Sequence, residues 1–108
     1  MTDKELLDAA AKAAGVTAPW SEKAQAYRWP EGSEWVEWNP LVDDGDALRL
    51  VVKLGLLVSV HHESERMKAH VVVVTPHPHV DVTEPFGDAY VATRRAIVRA
   101  AAMLGDKQ

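Results

Sequence analysis

The sequence predicts an α+β fold, one domain over residues 1–108 in which helices pack on an antiparallel sheet. Three observations predict it. Three segments place apolar residues at helical spacing, and a glycine follows each of them: Gly15, Gly55 and Gly105. Between the helical segments, stretches rich in valine or tryptophan come in pairs separated by turn-forming residues. The resulting order is α-β-β-α-β-β-α, with no repeat or linker dividing it.

Each element has a local reason. Thr2 and Glu5 form a capping box, and Leu6, Ala10, Ala13 and Ala14 lie on one face behind it, which predicts a helix over 3–14. Residues 16–42 hold Pro19, Pro30, Gly32 and Pro40 together with all four tryptophans, Trp20, Trp29, Trp35 and Trp38. No helical period survives there, and two short strands joined by a turn at 30–33 fit best. Asp43, Asp44 and Asp46 open a second helix over 44–54, where carboxylates meet free N–H groups and the positive end of the helix dipole. That helix is apolar almost all round, with Arg49 and Lys53 as its wet stripe, so it is expected to be largely buried.

Residues 56–62 and 68–75 read as a β-hairpin with a polar tip at 63–67. The run Val71–Val74 does not alternate, which predicts a central strand or one covered on both faces. Pro76 and Pro78 end it because they lack N–H donors, and 81–87 reads as loop. Asp88 caps a last helix over 89–104, stopped by Gly105, with Tyr90, Ile97, Ala101 and Leu104 as an apolar line and Arg95 and Arg99 on the outer face.

Composition narrows the function classes. Hydrophobic residues are 47% and charged residues 26%, an ordinary globular balance. The longest apolar run, Ala100–Leu104, is five residues, far short of the roughly 20 a membrane helix requires. The first residues lack the basic-then-apolar order of a secretory leader, which predicts retention in a cytoplasm. With no cysteine, disulfides, thiolate catalysis and cysteine-based metal sites drop out. Residues 1–55 carry 6 basic and 10 acidic side chains, and residues 56–108 carry 6 of each. That balance disfavours a nucleic-acid footprint, which is basic and clustered.

Four groups are candidates for chemistry or binding. The histidines His61, His62, His70, His77 and His79 fall close together; His77 and His79 form an H-x-H pair, and His62 and His70 are candidate neighbours across the hairpin. Imidazoles in such a cluster suit zinc, copper or nickel, although no established ligand spacing spans them and no cofactor is expected. The aspartates at 43, 44 and 46 are explained by helix capping rather than by a calcium loop. The tryptophans serve either as core volume or as anchors of a partner surface, with Trp29, Trp35 and Trp38 the candidate contacts and Trp29 and Trp35 the pair expected to be exposed. Arg95 and Arg99 are candidate phosphate contacts or a solvated face. No nucleophile elbow, P-loop or dinucleotide motif is present.

Two blocks resemble a known group of proteins. They are Trp38-Asn-Pro-Leu41 continuing through Asp43-Asp-Gly-Asp-Ala-Leu-Arg-Leu50 to Leu56, and Tyr90-Val-Ala-Thr-Arg-Arg-Ala-Ile-Val-Arg-Ala-Ala102. Together with the short first helix they resemble a set of small phage and prophage proteins of unknown function, with NinX-like proteins as looser relatives. Ala89 departs from the proline such proteins often carry at the start of the last helix, and the histidines lie outside the shared pattern. The resemblance implies action in a bacterial host cytoplasm and no catalytic residues. The expected role is that of a non-enzymatic accessory protein that binds a host or phage protein, or another copy of itself, and no membrane. The alternatives are a histidine-based metal binder, a weak nucleic-acid-binding regulator or a small enzyme.

Overall fold

In the computed structural model, which describes residues 2–76, 79–85 and 87–106, the first helix begins as its capping residues require. The Thr2 hydroxyl accepts from the Glu5 N–H at 3.2 Å, and the Glu5 carboxylate accepts from the Thr2 N–H at 3.1 Å. Helix α1 runs Asp3–Ala14, and Gly15 ends it at φ 76°, a left-handed conformation that costs glycine little. Strands β1 (Trp20–Ser21), β2 (Ala26–Glu31) and β3 (Glu34–Trp38) follow as an antiparallel meander, and Gly32 at φ 65° makes the tight turn between β2 and β3. Helix α2 (Asp44–Leu54) leads into β4 (Leu57–His61), β5 (His70–Val74) and β6 (Asp81–Pro85), a second three-stranded antiparallel sheet in the order β4-β5-β6. Helix α3 (Ala89–Asp106) closes the fold.

The α+β class holds, with three helices on antiparallel strands. Two strands escape the sequence pattern, so the order is α-β-β-β-α-β-β-β-α and the strands divide between two sheets. β1 is only two residues, held by pairing with Ala26 and Tyr27. β6 occupies most of the stretch expected to be loop. Only Val82 in it is apolar at a core position, and Pro85 sits where an edge strand tolerates a missing donor. Val82 lies opposite Val73, so burial of one side chain and the ladder to β5 hold the strand. β5 is central, as the unbroken valine run predicts.

Helix α3 is the hub. It packs on α1, α2 and all three strands of the second sheet. Ala96, Val98, Ala100 and Ala101 are fully buried, and Val71 and Val73 meet the helix from the sheet. By alternation Val58, Val60, Val71, Val73 and Val82 share the face toward α3. The first sheet folds against α1: the Tyr27 hydroxyl donates to Asp8, and Trp20 and Trp38 meet the Tyr27 ring edge-on at 5.3 and 5.8 Å.

Two expectations about helices are corrected. Gly105 does not stop α3, which continues to Asp106. A β-carbon at Gly105 would lie 1.9 Å from the Ala9 carbonyl oxygen, so glycine is there to let α1 and α3 touch. Helix α2 is not largely buried. Asp46, Ala47 and Leu50 are covered, whereas Leu48 and Val52 are 61% and 75% exposed. The helix packs mainly on α3 and only lightly on α1, and it has more apolar width than those contacts cover.

Gly105→Ala would normally help a helix by about 1 kcal/mol. Here the collision with the Ala9 carbonyl reverses the sign, and chemical denaturation should show a net loss of about 2 kcal/mol. Leu50→Ala, in a fully covered position, should cost about 2–5 kcal/mol in the same assay.

Candidate functional site

The three tryptophans proposed as partner contacts separate. β2 and β3 pair without a bulge, Tyr27 opposite Trp38 and Pro30 opposite Trp35, so Trp35 and Trp38 point to opposite faces. Trp38 faces α1 and is 6% exposed, a core residue and not a contact surface. Trp29 shares that inner face, half-buried against a hollow with Val16 and Ala18. Trp35 stands on the outer face, 58% exposed, with the Arg28 guanidinium 4.5 Å from its ring centroid. Glu37 lies 3.6 Å from the Arg28 Nε on the same face. Of the pair expected to be exposed, Trp35 is the one that is.

The histidines also sort by register. His70 lies opposite His61 rather than His62, and the two rings stack at 4.7 Å with 12° between their planes. Stacked rings direct their nitrogens alongside one another, not toward a shared point. His70 Nδ1 lies 2.8 Å from the Lys68 carbonyl, and His79 lies 3.5 Å from Asp81. His77 is outside the described residues, and so is the geometry of its pair with His79. Among the described residues no three His, Asp or Glu side chains converge as metal ligands.

Arg95 and Arg99 are engaged internally. Arg95 reaches Asp3 at 3.0 Å and Glu84 at 3.7 Å, while Arg99 bonds Glu84 and the Thr83 carbonyl. Arg94 donates to the Leu41 carbonyl at 2.9 Å and to Asp44 at 2.7 Å. These arginines lace α3 to α1, β6 and the start of α2, partners that sequence spacing does not reveal.

The aspartates divide in the same way. Asp43 alone caps α2, accepting from the Asp46 N–H at 2.8 Å. Asp44 pairs with Arg94, and Asp46 turns inward to accept from the Asn39 N–H and from Arg49, each at 2.9 Å. Asn39 completes the corner by donating to the Gln25 carbonyl at 2.7 Å and accepting from the Leu41 N–H. Burial of Asp46, helped by the nearby Asp43 and opposed by Asn39 and Arg49, raises its pKa. At Asp8 burial acts upward, but hydrogen bonds from Tyr27 and Lys4 outweigh it and lower the pKa. Tyr27, buried and donating to Asp8, is raised above the ordinary phenol value.

One concavity was not foreseen. Between α2, α3 and β4 lies an open groove of about 600 Å³, lined by Leu48, Val51, Val60, Tyr90, Thr93 and Ile97 among others. Tyr90 is 72% exposed beside Leu48. The sequence signal for it is the apolar width of α2, wider than its packing on α3 and α1 covers. Among the described residues no helix is long and apolar enough to cross a membrane. Comparison of the chain with protein-family models, curated proteins and solved structures finds no match.

The two shifted aspartates tilt acid stability in opposite directions. Asp46, raised when folded, opposes stability at neutral pH, and that penalty is relieved as pH falls through its folded pKa toward the unfolded value. Asp8, lowered when folded, contributes stability above its unfolded pKa that is lost as pH falls through the folded one. Denaturation of Asp46→Asn and Asp8→Asn from about pH 3 to pH 7 checks this. Relative to wild type, Asp46→Asn should improve with rising pH and Asp8→Asn should worsen.

Proposed function

We propose that this chain is a phage or prophage accessory protein that acts in a bacterial host by binding another protein, with Trp35 as the anchor. The observation that carries this reading is the placement of Trp35. A large aromatic side chain is held against Arg28 on the outer face of a short sheet, yet most of it remains in water. Tryptophan so placed is the residue type that dominates binding energy at protein interfaces. Pro30 lies opposite it in the strand pair and Glu37 shares its face, while Glu31 and Glu34, on the other face by alternation, make the hairpin tip acidic; all are exposed. An apolar anchor beside Glu37 on an acidic hairpin fits a partner with an apolar slot edged by lysine or arginine. The resemblance of the Trp38–Leu50 and Tyr90–Ala102 blocks to small phage and prophage proteins supports the setting in a host cytoplasm. Those blocks read mainly as scaffold: Pro40 is buried, Asn39 braces the turn and Asp43 caps α2.

Affinity capture from bacterial lysate with wild type and Trp35→Ala in parallel tests this. A host protein should be retained by wild type and weakened at least about thirtyfold by Trp35→Ala, the scale of a hot-spot truncation. Binding should also weaken with salt because the hairpin is acidic. A partner that binds both variants equally overturns the assignment of Trp35. In the free protein, removing Trp35 should take away most of the acrylamide-quenchable tryptophan fluorescence.

A further inference from the structure

We propose that two copies of this chain pair through the free edge of β4, joining their β4-β5-β6 sheets into one sheet of six strands. The edges of the two sheets are guarded unequally. β6 carries Asp81, an inward-pointing Glu84 and Pro85, devices that discourage another strand from adding. β3 carries Glu34 and Glu37, and β1 is only two residues long. β4 reads Leu-Val-Ser-Val-His, with no lysine, arginine, carboxylate or proline, and among the described residues no strand pairs with its outer edge. An apolar, uncharged edge of this kind is a template for strand addition.

The occupant is a second copy because the strand complements itself. A two-fold axis at Ser59 places Val58 opposite the other copy's Val60, and Leu57 opposite its His61. Valine then meets valine on the face toward α3, and no charged side chain is set against a like one. Beyond the strand, the same register brings exposed Glu63 level with Gly55 of the other copy, beside exposed Lys53 in the last turn of α2, so opposite charges flank the seam.

Area favours this occupant as well. A stable interface takes about 800 Å² from each partner, roughly an eighth of the 6742 Å² this chain exposes. Five strand residues cannot supply that alone. Leu48 and Val52, one turn apart on the exposed side of α2, together with Val60 and Tyr90 at the groove, supply apolar surface beside the edge. Pairing at β4 brings the two α2 helices over the seam and accounts for apolar residues that the single chain leaves in water.

Sedimentation of the intact chain tests the proposal. Wild type should sediment at twice 11.9 kDa at about 100 µM, a concentration at which an interface of standard size is populated. Ser59 lies on the sheet face away from α3, so Ser59→Lys and Ser59→Glu should each keep the fold by circular dichroism. Each should weaken self-association by roughly a hundredfold or more, because like charges meet on the axis. Mixing the two variants should restore the dimer, an outcome that requires residue 59 to face its own counterpart. Should either variant fail to fold, Ser59→Cys supplies an independent measurement, since the chain has no other cysteine. Residues directly opposite in an antiparallel pair are within disulfide reach, so diamide should convert this variant to a covalent dimer and form no covalent dimer of Thr83→Cys on β6, as read under denaturing, non-reducing conditions. A wild type that stays monomeric, or a dimer indifferent to Ser59→Lys and Ser59→Glu and not cross-linked through Ser59→Cys, overturns the proposal. The first outcome would leave the β4 edge to an extended segment of another protein. Trp35 lies on the other sheet, so these results are independent of the reading based on it.

Discussion

The close approach of α1 to α3 is the constraint on which the remaining structure depends. Two helices can touch backbone to backbone only where side chains are absent or nearly so. Alanines are buried along both helices, and Gly105 rests on the Ala9 carbonyl where no β-carbon fits. Because α1 sits so close on one side, α3 is free to present its other sides to the second sheet and to α2. A helix buried on several sides needs small or branched apolar residues over most of its circumference. The run from Ala96 to Ala102 provides them, broken only by Arg99.

Electrostatics fasten what packing brings together. Arg94, Arg95 and Arg99 each reach a different combination of Asp44, Asp3 and Glu84, so the one long helix is tied at its sides to α2, α1 and β6. Partly exposed pairs of this kind contribute little stability individually. Their effect is on position: Glu84 sits on the core-facing side of an edge strand and is tolerated there because two guanidinium groups meet it. The same engagement means that Arg95 and Arg99, candidate phosphate contacts by sequence, already meet carboxylates within the chain.

The fold leaves apolar surface in water. It lies in two places of different character. On the first sheet a single indole stands beside Glu37, steadied by Arg28. At the second sheet a groove and an unguarded strand edge adjoin, with the outer residues of α2 beside them.

Helix positions were legible in the sequence because they depend on neighbours within a few residues. The capping box at Thr2 and Glu5, the Asp43 cap, the left-handed Gly15 and Gly55 and the 3.6-residue period act locally. The valine run likewise declared β5 a central strand. What depended on distant residues was hidden. β6 exists because Val82 finds Val73 and Glu84 finds two arginines on α3, none of which its own five residues announce. Gly105 looked like every other helix-ending glycine until the position of Ala9 gave it a different purpose. The facing of the tryptophans and the pairing of His61 with His70 followed from strand register, where a shift of one residue exchanges inside for outside. Composition thus determined that this chain would be helices on valine-rich and tryptophan-rich strands. Only tertiary structure decided which apolar residues would remain exposed, because burial is set by the neighbours that arrive, and α2 has more apolar width than α3 can cover.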